Sequence, residues 1–255
     1  MSKHQGQYWE QLRARLADRL GQGWKLESAS VLRAVAAHRE YWRPEEVRVL
    51  LLAESHVLTH DHELEAQVRL DAYGHSDAPT EFVRLVYCLG YGERDLVDGA
   101  VKPNTGTWQF WQLFAACVDD PPGGKILKTV EQRLKQRIAN KVALLEDLRA
   151  RGVWLLDASP VALYRPGGGK SGPPGNALSA AWEEYSRRIV LEVAPRAVVV
   201  IGKGVFGALG EKVKSAVPSA VLDVIPQPQA RVSAAEHRAA YRKLYDSVRR
   251  FGRPP

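Results

Sequence analysis

The sequence predicts an α/β protein of three layers, with helices on both faces of a central, mainly parallel four-stranded sheet. Three observations carry this. Four short runs of branched and apolar residues recur along the chain, at 47–53 (VRVLLLA), 152–157 (GVWLLD), 197–201 (AVVVI) and 220–224 (AVLDV). They read as continuous apolar stretches rather than as alternations, the pattern of strands covered on both faces. Helical patterns lie between them, as helical crossovers between parallel strands require.

The elements follow in order. Residues 5–20 and 28–40 read as amphipathic helices broken at Gly21 to Gly23, and Pro44 closes that region. The first strand follows, then polar sequence with helical patterns at 79–90 and 107–118. A turn at 119–125 (DDPPGGK) precedes a long helix over 127–150 and the second strand. The loop at 165–175 (RPGGGKSGPPG) is too rich in glycine and proline for a helix. Residues 179–193 form a helix ended by Pro195, the third strand leads into a helix that starts at 204–209, and the fourth strand follows. Ser233, with Glu236 three residues on, N-caps a C-terminal helix running to about 250. Residues 1–44 are expected to form a helical extension packed on a domain of 45–255.

Composition excludes several classes. The chain has 255 residues, 45% hydrophobic and 25% charged, which is globular rather than disordered. No apolar run approaches the length of a membrane helix, and the first residues lack an apolar signal region, so a cytoplasmic, reduced protein is expected. Two cysteines, Cys88 and Cys117, cannot build a disulfide framework or a four-cysteine cluster. The net charge of +7 is uneven. Residues 45–98 hold twelve acids against four bases, a local net of −8, which leaves +15 on the remainder. That surplus suits a polyanionic partner.

Three motifs are weaker than they look. Gly202-Lys203-Gly204-Val205-Phe206-Gly207 fits a dinucleotide fingerprint with Asp223 downstream, but too little chain follows to complete such a domain. The simpler reading is a glycine turn that lets a helix pack closely on a strand. Gly169-Lys170-Ser171 evokes a phosphate loop, yet the first glycine position falls on Tyr164 and Pro173-Pro174 occupy the helix that should follow. His56, His60, Asp61 and His62 cluster after the first strand, at a spacing that matches neither H-E-x-x-H nor H-x-H-x-D-H. A metal-dependent hydrolase using them stays open as an alternative.

In parallel sheets, ligands bind beyond the carboxyl ends of the strands. Glu54 stands at the end of the first strand and Asp157 at the end of the second. The third strand gives Gly202-Lys203-Gly204, and the fourth a proline loop with Arg231 before a basic helix. This set resembles the uracil-DNA glycosylase superfamily over roughly 45–250. Ala53-Glu54-Ser55-His56-Val57 stands where that family has GEAPG, GINPG or GQDPY. Glu54 matches the glutamate of the GEAPG type, and Ser55 fills the aspartate or asparagine slot of the others. Gln109-Phe110-Trp111-Gln112-Leu113 is similar to its RFWKL-like helix. Residues 152–163 are similar to GVLLLNAVLTV, with Asp157 replacing the base-reading asparagine. Ile225-Pro226-Gln227-Pro228-Gln229-Ala230-Arg231 is similar to NPSGLNR or HPSPLS, with Ile225 replacing the usual asparagine or histidine.

The resemblance implies a monofunctional, monomeric DNA glycosylase without cofactor or metal, acting on single- or double-stranded DNA and not on membranes. Glu54, Ser55 and His56 would be catalytic. Asp157, Trp108, Phe110 and Tyr91 would hold the base, and Lys170, Lys203, Gln227, Gln229, Arg231 and Arg238 the DNA. A carboxylate beside the anomeric carbon stabilises oxocarbenium charge and orients water. An ionised aspartate only accepts hydrogen bonds, so Asp157 favours a base with an exocyclic amino group over uracil. A modified, cytosine-type base absent from host DNA, as in phage defence, fits that preference. Uracil or mismatch repair, and a non-catalytic DNA-binding relative that has lost the Ile225 position, stay open. The basic residues are expected to surround the mouth that holds Glu54 and Asp157.

Overall fold

A computed structural model of the chain describes residues 3–21, 23–102, 106–120, 134–163 and 175–254. α1 (Lys3–Leu20) and α2 (Ala29–Tyr41) precede β1 (Val49–Ala53). A largely irregular stretch holds short 3-10 turns at Asp61–Glu65, Asp71–Tyr73 and Arg94–Leu96 and the short antiparallel pair β2 (Gln67–Val68) and β3 (Val97–Asp98). α3 (Trp108–Ala116) and α4 (Leu134–Ala150) lead to β4 (Val153–Asp157). α5 (Gly175–Ala181), a π-helical turn at Trp182–Ser186 and α6 (Arg187–Val193) lead to β5 (Ala197–Ile201). α7 (Lys203–Ala216), β6 (Val221–Ile225) and α8 (Ala234–Phe251) complete the order.

The four principal strands form one sheet in the order β4-β1-β5-β6, parallel throughout. Ala53 lies beside Asp157 and Ile201 beside Ile225, so four strand ends align on one edge. Every residue of β1, β4 and β5 is buried, as their unbroken apolar runs predict. β6 is more exposed and forms an open edge. The chain leaves β1 toward β4 on one side and leaves β5 toward β6 on the other. Adjacent strands whose connections part in this way leave a crevice between their carboxyl ends, the general ligand position of doubly wound sheets.

The N-terminal residues are more than an appendage. Leu12, Leu16, Val31, Leu32, Val35 and Trp42 share one buried cluster with all of β1. Ser28 caps α2 by accepting from the Val31 amide at 3.3 Å. Trp154 Nε1 on β4 donates to the carbonyl of Arg39 at 3.0 Å. On the same strand the Leu155 amide donates to the Tyr87 hydroxyl at 2.7 Å. The predicted cap of α8 is present as a full capping box between Ser233 and Glu236.

Two expectations need correction. Residues 79–90 form no helix. Phe82, Val83, Leu85, Val86, Tyr87, Cys88 and Leu89 are all buried, so the segment has no solvent-facing stripe. Its amides bond outward instead, Phe82 N to Ala66 O at 3.0 Å and Arg84 N to Thr59 Oγ1 at 2.9 Å. The helix expected over 179–193 begins at Gly175 and is interrupted by the π-helical turn, in which Trp182, Tyr185 and Ser186 are all buried. The 121–125 part of the expected turn, the start of the 127–150 helix and the 165–174 part of the glycine-rich loop lie outside the described residues.

Candidate active site

β1 ends at Ala53, and the pairing with the β4 side continues beyond it. The Ala158 amide donates to Ala53 O at 2.8 Å, and the Ser159 amide to Glu54 O at 3.1 Å. The segment after β4 then turns back, and the Leu163 amide donates to Ser55 Oγ at 3.3 Å. Ser55 thus fixes the second loop against the first.

Beneath these loops lies a buried chain of charge. Glu27, from the segment before α2, receives the Thr59 amide on Oε1 at 2.7 Å and the Ala162 amide on Oε2 at 2.8 Å. His56 Nε2 lies 2.9 Å from the same Oε2, with both side chains fully buried. Burial alone would raise the Glu27 carboxyl, but His56 and the two amides outweigh it and hold the group below the ordinary carboxylate range. An ionised carboxylate only accepts, so His56 carries its proton on Nε2. The other ring nitrogen, Nδ1, has no hydrogen-bond partner among the described residues and lies 3.8 Å from Asp157 Oδ2.

Asp157 is itself buried and takes Arg39 NH2 on Oδ2 at 2.7 Å, while Arg39 NH1 donates to the Tyr185 hydroxyl at 2.8 Å. The π-helical turn that carries Tyr185 brings that hydroxyl to the guanidinium. Burial penalises the Arg39 cation, yet Tyr185 and Asp157 more than compensate and raise its pKa. A buried carboxylate needs such a counter-charge to be tolerated.

Glu54 differs from both of the other site carboxylates. It is half-buried and has no cation within 4 Å among the described residues. Burial pushes its carboxyl above the usual range, a weak bond from Gln227 Nε2 at 3.4 Å pulls it down, and the charge of Asp157 pushes it up again. Gln227 reaches it from the loop after β6. Gly202, at φ 110°, makes the turn after β5 beside that side chain, and a Cβ there would come within 3.0 Å of Gln227 Cγ. Glycine is required at this position on both counts. The expected glycine turn is therefore at Gly202, which leads β5 into α7, while Gly204 and Gly207 would meet nothing within 4 Å.

The remaining expected site residues divide. Lys203, Gln229, Arg231 and Arg238 are exposed on the segments that follow β5 and β6, while Pro228 is buried. Lys203, Arg231 and Arg238 make no ion pair among the described residues. Lys170 lies outside them. Trp108 is 46% exposed at the start of α3, and Phe110 is half-buried against the core. Tyr91 is not a surface platform. It is buried edge-on to Phe82 at 6.4 Å, with its phenol raised by burial and acted on by the charges of the paired Glu63 and Arg84. Ile225 is 2% exposed and serves as core. The histidines separate, with His56 turned inward to Glu27 while His60 stacks on His62 at 5.6 Å nearer the surface. Among the described residues no group of three His, Cys, Asp or Glu side chains is arranged to hold a metal.

Glu27 and Arg39 were not among the residues the sequence singled out. A signal existed for Arg39. It follows Val31 and Val35 at four-residue spacing on the buried stripe of α2, where a cation is out of place unless paired. Glu27 sits in irregular sequence ahead of an N-cap, where its neighbours give no pattern. No protein-family model matches this chain, and no curated protein matches it significantly.

Proposed function

We propose that this chain is a DNA glycosylase. It takes a flipped-out base into the crevice at the carboxyl edge of the sheet and hydrolyses its N-glycosidic bond. The observation that carries the reading is Glu54, a half-buried carboxylate without a counter-cation among the described residues, at the switch point of the sheet and beside the buried Asp157–Arg39 pair.

The chemistry follows from that arrangement. As the bond between C1′ and the base nitrogen breaks, its electron pair leaves with the base, which takes up a proton from solvent, balanced by the water proton that Glu54 later returns to solvent. The sugar gains oxocarbenium character, and the nearby Glu54 carboxylate stabilises it. A water oxygen bonds to C1′, and Glu54 accepts the proton it releases. Gln227 steers one Glu54 oxygen by its hydrogen bond. Arg39 occupies Asp157 Oδ2, which leaves Oδ1 to accept from a base. An acceptor pairs with an exocyclic amino group and repels a carbonyl, a preference of about 1–3 kcal/mol for a good pair. The reading is therefore a cytosine-type base, modified in a way that separates it from host DNA. Extrusion of the base costs a few kcal/mol, and in this reading Gln227, Gln229 and Arg231 would fill the gap.

The test is base release, followed as abasic-site formation, on a panel of DNAs carrying uracil, mismatched thymine, cytosine and phage-type modified cytosines. Release of an amino-bearing base in preference to uracil supports the reading. Binding of every DNA with release from none would establish the non-catalytic alternative.

A further inference from the structure

α8 carries a feature the crevice does not use. Its buried stripe is Ala240, Leu244, Ser247 and Val248. On the opposite side, Arg238, Arg242 and Arg249 fall within an arc of about 40° at 100° per residue, and all are exposed. The Tyr245 ring lies between two of them, with the Arg242 and Arg249 guanidinium carbons each 5.7 Å from its centroid. Stacking on one ring limits the freedom of both side chains before any partner arrives.

The helix also has a direction. It starts beside the crevice, where His237 Nε2 lies 3.2 Å from Ala230 O and Lys203 acts electrostatically on Glu236. It ends at the far edge of the sheet, where Arg253 N donates to Arg151 O at 2.9 Å. Arg238 to Arg249 spans about 16 Å at 1.5 Å per residue, equal to about five nucleotides of one DNA strand. The acid nearest this face is Asp246, which with Asp120 pairs with Arg242, while Glu236 is spent on the Ser233 cap. Exposed pairs of this kind are worth little and can be exchanged for phosphate.

We propose that the outer face of α8 is a phosphate rail for the nucleic-acid strand that leaves the Glu54 crevice. Lys203, Arg231 and Arg238 would form its upper end, and Arg242 and Arg249, braced by Tyr245, its lower end. The proposal rests on the reading that the crevice accepts a base from DNA.

Fluorescence anisotropy over a salt series, with a labelled unmodified DNA of about 20 nucleotides, single-stranded and duplex, tests it. For duplex DNA, R242A/R249A is expected to bind about tenfold more weakly near 0.1 M salt, and its log K against log salt slope to be shallower by about two, at 0.9 per phosphate. R242K/R249K is expected to restore most of the slope, because lysine still meets phosphate as a point charge. R196A/R253A, at the other edge of the sheet, is expected to match the wild type. An unchanged slope in R242A/R249A overturns the rail. So does loss of binding to phosphatidylserine vesicles in that variant when the wild type shows no affinity for DNA. Rail-dependent DNA binding without base release on any substrate would keep the rail and remove the glycosylase reading. Base release that survives loss of both arginines with unchanged affinity would do the reverse.

Discussion

Glu46 and Glu54 flank the same strand and meet opposite fates. Glu46 lies just before β1, at the amino edge of the sheet, in contact with three arginines: Arg48 at 3.1 Å, Arg253 at 3.0 Å and Arg196 at 3.6 Å. Hydrogen bonds from Arg253 and Arg48 hold it below the ordinary carboxylate range. Glu54 lies just after β1, at the carboxyl edge, with no arginine within 4 Å among the described residues, and burial drives it above that range. Cations also gather at the amino edge, so the basic residues do not simply encircle one mouth. What separates the two edges is pairing. At the amino edge Glu46 is held among three arginines, whereas at the carboxyl edge, among the described residues, Lys203, Arg231 and Arg238 make no ion pair and Glu54 has no cation within 4 Å. The first arrangement holds a fold together, and the second leaves charge available for a ligand.

The sharpest way to break this contrast is Glu54→Gln. The side chain keeps its shape and loses its charge, so base release is expected to fall on the order of a thousandfold. The thermal midpoint is not expected to drop. A carboxyl raised by burial is disfavoured when ionised, so the neutral amide removes a cost at neutral pH. Melting curves and single-turnover rates on the same preparation check both halves. A large loss of stability would mean that Glu54 is a structural carboxylate like Glu46.

The next effect is on the fold. Arg39→Met leaves the Asp157 charge buried without its partner, which costs about 3–5 kcal/mol. For a chain of this size that lowers the midpoint by about 10 °C. Glu46→Gln, which cuts an exposed three-arginine cluster, is expected to move the midpoint far less. Chemical denaturation of the two variants side by side measures the difference. Equal losses would show that Asp157 tolerates burial without Arg39.

Glu27→Gln should be smaller and should depend on pH. The amide presents an N–H group to donors that now face a carboxylate, at a cost of about 1–3 kcal/mol. The folded-state pKa of Glu27 is depressed, so its contribution is fully present above the unfolded-state value and is lost as pH falls through the folded-state value. The stability gap between wild type and variant is therefore expected to be widest near neutrality and to close in acid. A gap independent of pH would mean that packing, rather than the charge on Glu27, ties the two loops together.

The layers of the fold were legible because buried parallel strands announce themselves as unbroken apolar runs. Glu54 and Asp157 were legible because strand ends are where such sheets bind ligands. The segment 79–90 misled because its apolar residues mimic a helical stripe, whereas tertiary burial on all sides sent its amides to Ala66 and Thr59. Tyr91 misled for a related reason, since an aromatic residue reads the same in the core as on a platform. Glu27 was illegible because its function is to join segments more than thirty residues away, at Thr59 and Ala162, and no local pattern encodes a long-range hydrogen bond.

The smallest effect is the most specific. If Glu54 must be ionised to stabilise the sugar cation, the acid limb of the rate profile follows its pKa. Two neighbours act on that value in opposite senses. Asp157 raises it by like charge, so Asp157→Asn is expected to move the acid limb to lower pH, even where the change of base contact lowers the rate. Gln227 lowers it by donating to Oε2, so Gln227→Leu is expected to move the limb to higher pH. Single-turnover rates against pH read both shifts without regard to absolute activity. A general loosening of the crevice would move both limbs the same way, because more water would lower the Glu54 pKa in either variant. Only the specific geometry of the carboxyl edge, one carboxylate between an amide donor and a second carboxylate, gives shifts of opposite sign.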